Sequence, residues 1–286
     1  MDRTATMACW YGPRLVAFLV LILIQDQRNA LIWVRDNIVQ FGGDPSSVTI
    51  FGESAGAYCV NDHMTMPGSY GLFHAAIMES GTNEGQGFLG TFLFDQAYGN
   101  AQYNDVLATF NCTDLACLRA IPGEDIIALG AIDQLGYWGA IVDGVELPAD
   151  PRDMVRTGDF YHVPIILGTN SDEVPGFLRP GATQAQYTAS LVDLFGPQHG
   201  MALVEVYPLS DYEDNAFLAT QAIMTDDVFT CPTRRSARYF SQYIDVYAYW
   251  FSYVHSAVNL VVPFFGAFHA SELPYGKPKK LVLETT

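Results

Sequence analysis

Gly52-Glu53-Ser54-Ala55-Gly56 is the stretch of this sequence whose spacing points most directly to chemistry. It fits the pattern G-x-S-x-G, in which a tight strand-to-helix turn lifts a serine hydroxyl above the edge of a sheet. Both glycines are needed because a side chain at either position would collide with neighbouring backbone. A serine held there can attack an acyl carbon once a base removes its proton. The N–H of Ala55 then points to where an oxyanion would form. Glu53 would lie buried beside the nucleophile and could stabilise a cationic histidine or substrate, or act only as a capping carboxylate. An ordinary glycine-rich turn is the competing reading of the same five residues.

Such a turn needs a strand before it and a helix after it. Val48–Phe51 is β-branched and aromatic and is bounded by Gly52, which predicts a short strand, and Ala55–Val60 can be helical. Upstream, Asp26–Phe41 reads as an amphipathic helix. Asp26 would cap it, Ala30, Leu31, Trp33, Val34, Ile38 and Phe41 would supply its apolar face, and Gly42-Gly43 would end it. Asp44-Pro45-Ser46 would turn the chain. Three further strands are expected at Ala75–Met78, Val163–Leu167 and Val246–Val254, with helical patterns at Ala185–Leu194 and Ala216–Ile223 between them. Strands alternating with helices imply a mostly parallel central sheet flanked by helices, an α/β fold. No repeat, low-complexity stretch or linker interrupts the sequence, so residues 1–286 read as a single domain.

Composition narrows the function. Of 286 residues, half are hydrophobic and 16% are charged, which fits an ordered chain able to bury a core. The formal net charge is −17, with only 14 scattered Lys and Arg. A nucleic-acid partner would need clustered cations to neutralise phosphates, and an anionic membrane surface is disfavoured for the same reason. The ten apolar residues Leu15–Ile24 fall short of the roughly 20 that span a bilayer. They read as a buried strand, or as a signal-like segment preceded by Arg3 and Arg14 and followed by no small-x-small cleavage site. Five cysteines include no C-x-x-C pair, so neither zinc nor a thioredoxin-type dithiol is suggested. Spacing alone leaves Cys112 and Cys117 open between a short disulfide loop and two free thiols. Asn111-Cys112-Thr113 is formally a glycosylation sequon.

Several segments together resemble the type-B carboxylesterase and cholinesterase family, an α/β-hydrolase family. They are Asp26-Gln27, Trp33-Val34, Asn37-Ile38 and the run Phe41 to Ala57 (FGGDPSSVTIFGESAGA). Gly71-Leu72-Phe73-His74, Ala76-Ile77, Ser80-Gly81, Cys117-Leu118-Arg119, Val142-Asp143-Gly144, Gly168-Thr169-Asn170, Phe229-Thr230-Cys231-Pro232 and Gly266 to Tyr275 extend the likeness over residues 25–276. The resemblance implies a triad in chain order serine, glutamate, histidine. Ser54 takes the first role. Glu173 takes the second, from the G-x-N-x-x-E pattern Gly168 to Glu173, with Asp172 the near competitor. His269 takes the third, from the G-x-x-H-x-x-E block Gly266 to Glu272, with His255 the rival among six histidines. His269 would take the Ser54 proton, Glu173 would set the imidazole tautomer, and an acyl-enzyme would form and be hydrolysed. Ser80 resembles a serine that supports the acid. No metal or organic cofactor is implied, and the substrate would be a small-molecule or lipid ester.

The same resemblance favours a Cys112–Cys117 disulfide and a secreted protein. It also sets expectations about what differs here. Family members carry additional strands and an H-G-G-G-type oxyanion segment ahead of the Asp26 helix, and no H-G-G occurs in this sequence. Tyr11-Gly12-Pro13-Arg14-Leu15 looks like a remnant of the preceding strand, so residues 1–24 are the atypical part. The expectation is a chain shortened at both ends, its N-terminal strands missing and its turnover impaired by lost oxyanion donors. A non-catalytic, cholinesterase-like adhesion or binding module, or an inactive fragment, is the alternative reading. No feature of the sequence sets an oligomeric state.

Overall fold

A computed structural model describes residues 4–9, 20–85, 93–130, 139–256 and 264–276. In chain order the elements are β1 (Thr4–Cys9), α1 (Val20–Asn37), β2 (Asp44–Glu53), α2 (Ala55–Thr65), β3 (Ala75–Glu79), β4 (Leu93–Asp95), α3 (Gln96–Thr109), α4 (Leu115–Arg119), α5 (Gly123–Gly130), β5 (Ala140–Val142), α6 (Pro151–Thr157), β6 (Ile165–Asn170), α7 (Gln184–Val206), α8 (Ala216–Thr225), α9 (Cys231–Phe240) and β7 (Val246–Phe251). Five strands form a sheet in the order β1-β2-β3-β6-β7, and β2 is parallel to both of its neighbours. The chain divides into two compact units, Met1–Leu167 with Pro232–Ala248, and Gly168–Cys231 with Tyr249–Thr286.

In the first unit, β2 buries Val48, Ile50 and Gly52 at alternate positions, and β3 buries Ala76 and Met78 in the same way. This period of two differs from the continuous two-sided burial expected of the Ala75 run. Leu31 from α1, Val60 and Met64 from α2, Phe73, Ile165, Leu167 and Phe240 complete that core. β6 begins at Ile165, two positions after the expected start. Pro164 has no N–H for a strand ladder, although its carbonyl accepts from Ala76 N at 3.2 Å.

The N-terminal expectations need correction. Val20–Ile24 is not strand but the start of α1, so Asp26 lies inside the helix rather than capping it. Residues 10–19, including the Tyr11–Leu15 remnant, lie outside the described residues. β1 lies parallel beside β2, with Thr6 in register with Thr49. α1 passes into a 3-10 turn, Ile38–Phe41, which ends on Gly42 at φ 79°, as the glycine pair predicted. Asp44-Pro45-Ser46 opens β2 rather than forming a separate turn, with the Asp44 carboxylate accepting from Ser46 N at 2.8 Å.

Almost all of α2 is buried, including the polar run Asn61-Asp62-His63. Buried polar groups need partners, and most of these have them, the exception among the described residues being Asn61 Nδ2. Asn83 donates its side-chain amide to Asp62 Oδ1 at 2.7 Å, and its backbone N–H to Asn61 Oδ1 at 3.3 Å. His63 lies between Gln27 Oε1, 3.0 Å from Nε2, and Ser69 Oγ, 2.9 Å from Nδ1. The Gln27 carbonyl oxygen can only accept, so the proton is on Nε2 and Nδ1 accepts from the Ser69 hydroxyl. Burial pushes the Asp62 carboxyl up to about 7, against the pull of the Asn83 bond. Burial, with the charge of Arg28 nearby, pulls His63 down to about 4.

These neighbours act oppositely on stability. Between the ordinary carboxylate value and about 7, folded Asp62 holds a proton that the unfolded chain has released, so its contribution falls as pH rises. Between about 4 and the ordinary imidazole value, the unfolded chain protonates His63 and the folded one does not, so its contribution rises with pH. The two offset one another across the acidic range. Asp62→Asn, which retains an acceptor for Asn83, removes one side of that balance. Its melting temperature is expected to exceed the parent's at pH 8 and to fall more steeply than the parent's on acidification from pH 6.5 to 4.5. Parallel curves in a pH series of thermal melts would refute the offset.

The second unit has its own core of Tyr187, Leu191, Leu209, Ala216, Ala219 and Ile223. α7 starts with a complete capping box, Thr183 with Gln186, and kinks at Gly196 (φ 80°) just before Pro197, which is why the helical pattern fades after Leu194. α8 begins at Ala216 as expected, capped by Asn215. Two features had no sequence signal that was read. One is the short parallel pair β4–β5 in the first unit. The other is a π-helical turn, Asp226–Thr230, between α8 and α9.

Candidate active site

Ser54 stands at the junction of β2 and α2 with φ 56° and ψ −119°. A serine at positive φ costs of order 1–3 kcal/mol and persists only where its surroundings impose it. Here they do. Ser54 N–H donates to the Glu79 carbonyl at 2.9 Å, and the Ser54 carbonyl accepts from Ala57 N at 2.9 Å and Tyr58 N at 3.2 Å. The glycines explain themselves. A Cβ at Gly52 would sit 2.4 Å from the carbonyl carbon and oxygen of Gly56. A Cβ at Gly81 would sit 2.7 Å from the Ser54 carbonyl oxygen. Gly81, part of the Ser80-Gly81 likeness, thus packs directly against the backbone of the turn.

Ala55 heads α2, where first-turn amides have no carbonyl four residues back to bond with. Glu53 is half-buried and stands in register with Glu79 across the β2–β3 pair. Ser80 is fully buried at φ 52°, and its Oγ has no hydrogen-bond partner among the described residues. Also in this unit, Cys112 and Cys117 are joined as a disulfide with Cα atoms 5.5 Å apart, closing the turn between α3 and α4.

In the second unit the acid and the histidine meet. Glu173, 1% exposed, follows β6 by three residues. Its Oε1 accepts from Asn170 N at 2.7 Å, and its Oε2 lies 2.7 Å from Nδ1 of His269. A carboxylate can only accept, so Nδ1 carries the proton and the ring's lone pair falls on Nε2, the tautomer a general base requires. The backbone repeats the link, His269 N–H donating to the Glu173 carbonyl at 3.1 Å. Phe229 packs on the imidazole with ring centroids 4.8 Å apart. It is presented by the π turn Asp226–Thr230, where Cys231 N–H reaches back five residues to Asp226. One extra residue per turn shifts the phase of every following side chain, and Pro232 has no N–H to continue an α-helical ladder.

Of the two adjacent acids, Glu173 takes the imidazole, while the Asp172 carboxylate accepts from Ala267 N at 3.0 Å. His255 lies exposed in the segment after β7. A second carboxyl, Glu272, is buried near the pair and bonded to the Asn170 side-chain amide. Burial pushes Glu272 above the usual carboxylate range, the Asn170 bond opposes that, and the charge of Glu173 adds to the rise.

Comparison with known proteins gives a consistent set of relatives. A profile of the carboxylesterase family matches residues 24–285. Among curated proteins, the chain is 33% identical over 275 residues to pyrethroid hydrolase Ces2e of Rattus norvegicus, covering 87% of this chain and 46% of that protein. It is 33% identical to the cocaine esterase of Homo sapiens, with 87% and 47% covered. It is 35% identical to the para-nitrobenzyl esterase of Bacillus subtilis (strain 168), with 87% and 50% covered. Among solved structures, a PNB esterase superposes with a TM-score of 0.65 at 29% identity, covering 88% of this chain and 51% of that one. The chain thus spans about half the length of the curated relatives it matches.

Proposed function

The chain belongs to the carboxylesterase family and has its α/β-hydrolase fold, and from that premise we propose that it hydrolyses carboxylic esters with Ser54 as nucleophile, His269 as general base and Glu173 as the acid that orients it. The observation that carries this reading is the left-handed backbone of Ser54 at the end of β2, a strained geometry whose value is to present a hydroxyl. The Glu173–His269 hydrogen bond supports it, because it fixes the tautomer with a basic Nε2.

In the proposed cycle, Nε2 of His269 accepts the Ser54 proton as Oγ bonds to the ester carbonyl carbon. The tetrahedral oxyanion is met by the Ala55 N–H, the positive charge gathering on the imidazole is stabilised by Glu173, and the imidazolium returns its proton to the departing alcohol. Water, deprotonated by His269, then releases the acid and restores the hydroxyl. The relatives' names refer to pyrethroid, cocaine and para-nitrobenzyl esters. What those compounds share is a carboxylic ester, and that is the substrate class proposed. The Cys112–Cys117 disulfide supports an oxidising compartment. Among the described residues no helix is long and apolar enough to cross a membrane.

The test is covalent labelling. A fluorophosphonate should modify the folded chain once, and peptide mass spectrometry should place the adduct on Ser54, with p-nitrophenyl acetate hydrolysis lost in step. A folded chain that stays unlabelled would instead match a binding module or inactive fragment.

A further inference from the structure

The reading of His269 as the base raises the question of what holds its loop in place. The turn after β6 grips the segment Phe265–Glu272 repeatedly. Asn170 Nδ2 donates to the Phe268 carbonyl at 2.9 Å and also to Glu272. Asp172 N–H donates to the Ala267 carbonyl at 3.2 Å. In return, Ala267 N–H donates to Asp172 Oδ2 at 3.0 Å. Ser171 Oγ donates to the same carboxylate oxygen. Gly266 stands at φ 62°, and a Cβ added there would lie 2.2 Å from Asp172 Oδ2. The carboxylate therefore fills the space that any larger residue at 266 would take. Three residues carry the loop from Gly266 to the imidazole.

We infer that Asp172 is a positioning residue, whose carboxylate clamps the Gly266-Ala267 backbone and thereby holds the His269 imidazole on Glu173. Most of the bonds joining turn and loop run between backbone atoms or through Asn170 and survive substitution at 172. Among the described residues, the Ala267 amide has the side chain of Asp172 as its partner. The clamp acts two residues before His269, where a small rotation of the chain swings the imidazole off its hydrogen bond. Displacement of a reacting group by about 1 Å can cost 10²-fold in rate. What the clamp needs is an acceptor oxygen in the right place and an empty position at 266. It does not need a negative charge.

Asp172→Asn keeps an oxygen for the Ala267 amide, whereas Asp172→Ala removes it. For p-nitrophenyl acetate, Asp172→Ala is expected to lower kcat roughly 10- to 100-fold with KM changed by less than about threefold, and Asp172→Asn to stay within about threefold in both. In proton NMR of the full chain, the His269 Nδ1–H resonance and slow exchange of the Ala267 amide should persist in Asp172→Asn and be lost in Asp172→Ala. If Asp172→Ala does not fold, Gly266→Ala, which displaces the carboxylate sterically, should give the same NMR signature. Retention of both NMR features in the variant that lacks the carboxylate overturns the clamp. Equal losses in Asn and Ala also overturn it, because charge would then be the cause. The NMR arm stands if the parent proves unreactive toward esters, so failure of the proposed activity and failure of the clamp are distinct results.

Discussion

Ser54→Ala is expected to lower kcat for a p-nitrophenyl ester by roughly 10⁶-fold while leaving the melting temperature unchanged or slightly raised. The rate loss follows from removing the atom that forms the acyl bond. The remaining Ala55 amide can polarise a carbonyl but cannot be acylated. The stability side is more specific to this turn. Alanine at φ 56° pays the same steric cost as serine, because the clash comes from Cβ and not from Oγ. The hydroxyl also caps nothing, since α2 has no side-chain cap bond from Ser54. The substitution therefore separates chemistry from folding. Residual hydrolysis within tenfold of the parent, in a variant with an intact melt, would remove Ser54 from the mechanism.

Glu173→Gln should lower kcat by about 10⁴ and, unlike the serine change, should also cost stability. The carboxylate makes two demands in opposite directions from a site that is 1% exposed: Oε1 accepts from Asn170 N and Oε2 accepts from the imidazole Nδ1–H. An amide has one acceptor to offer. If its oxygen faces Asn170, its NH₂ faces Nδ1, which forces the proton onto Nε2 and eliminates the base. If the amide is turned over, the imidazole is served but two N–H groups confront one another at Asn170. A buried donor left unsatisfied costs about 1–3 kcal/mol. The first orientation keeps both contacts but replaces a charge-assisted bond with a weaker neutral one, and the second leaves a buried donor unpaired, so the melting temperature falls along with the rate, least in the first case. Steady-state kinetics and a thermal melt on the same sample check both halves. A glutamine variant with near-parental turnover would show that the tautomer is set by something other than Glu173.

The parts of this site that were legible in the sequence are those in which backbone geometry dictates residue type. Gly52 and Ser54 are readable because the turn brings Gly56 so close to Gly52 that a Cβ at Gly52 would collide with its backbone. The β2 and β3 strands, and the stop at Gly42 of the 3-10 turn that follows α1, follow from the same rules of alternation and steric permission. The acid and the histidine are different. Nothing local distinguishes Glu173 from Asp172, or His269 from His255, and family likeness alone singled them out. What separates the acids is tertiary: which carboxylate the loop from Gly266 to Glu272 meets with an imidazole and which with an amide. The start of α1 was misread for a related reason. An apolar run has no period of its own, so Val20–Ile24 could not be told from strand until the helix was seen to include it. The π turn before α9 left only Pro232 as a trace.

Glu173 and His269 are 96 positions apart in the chain, yet they are joined through both side chain and backbone. Bringing together the ends of a flexible segment that long costs about 4 kcal/mol in closure entropy, which a single hydrogen bond does not return. Contacts of such high order form only after the intervening helices have condensed, and they slow the search for the native state. Helical content and hydrophobic collapse can therefore be complete in a chain that has no working base. On this topology the pair proposed as acid and base forms late, and a helix-rich folding intermediate would lack it.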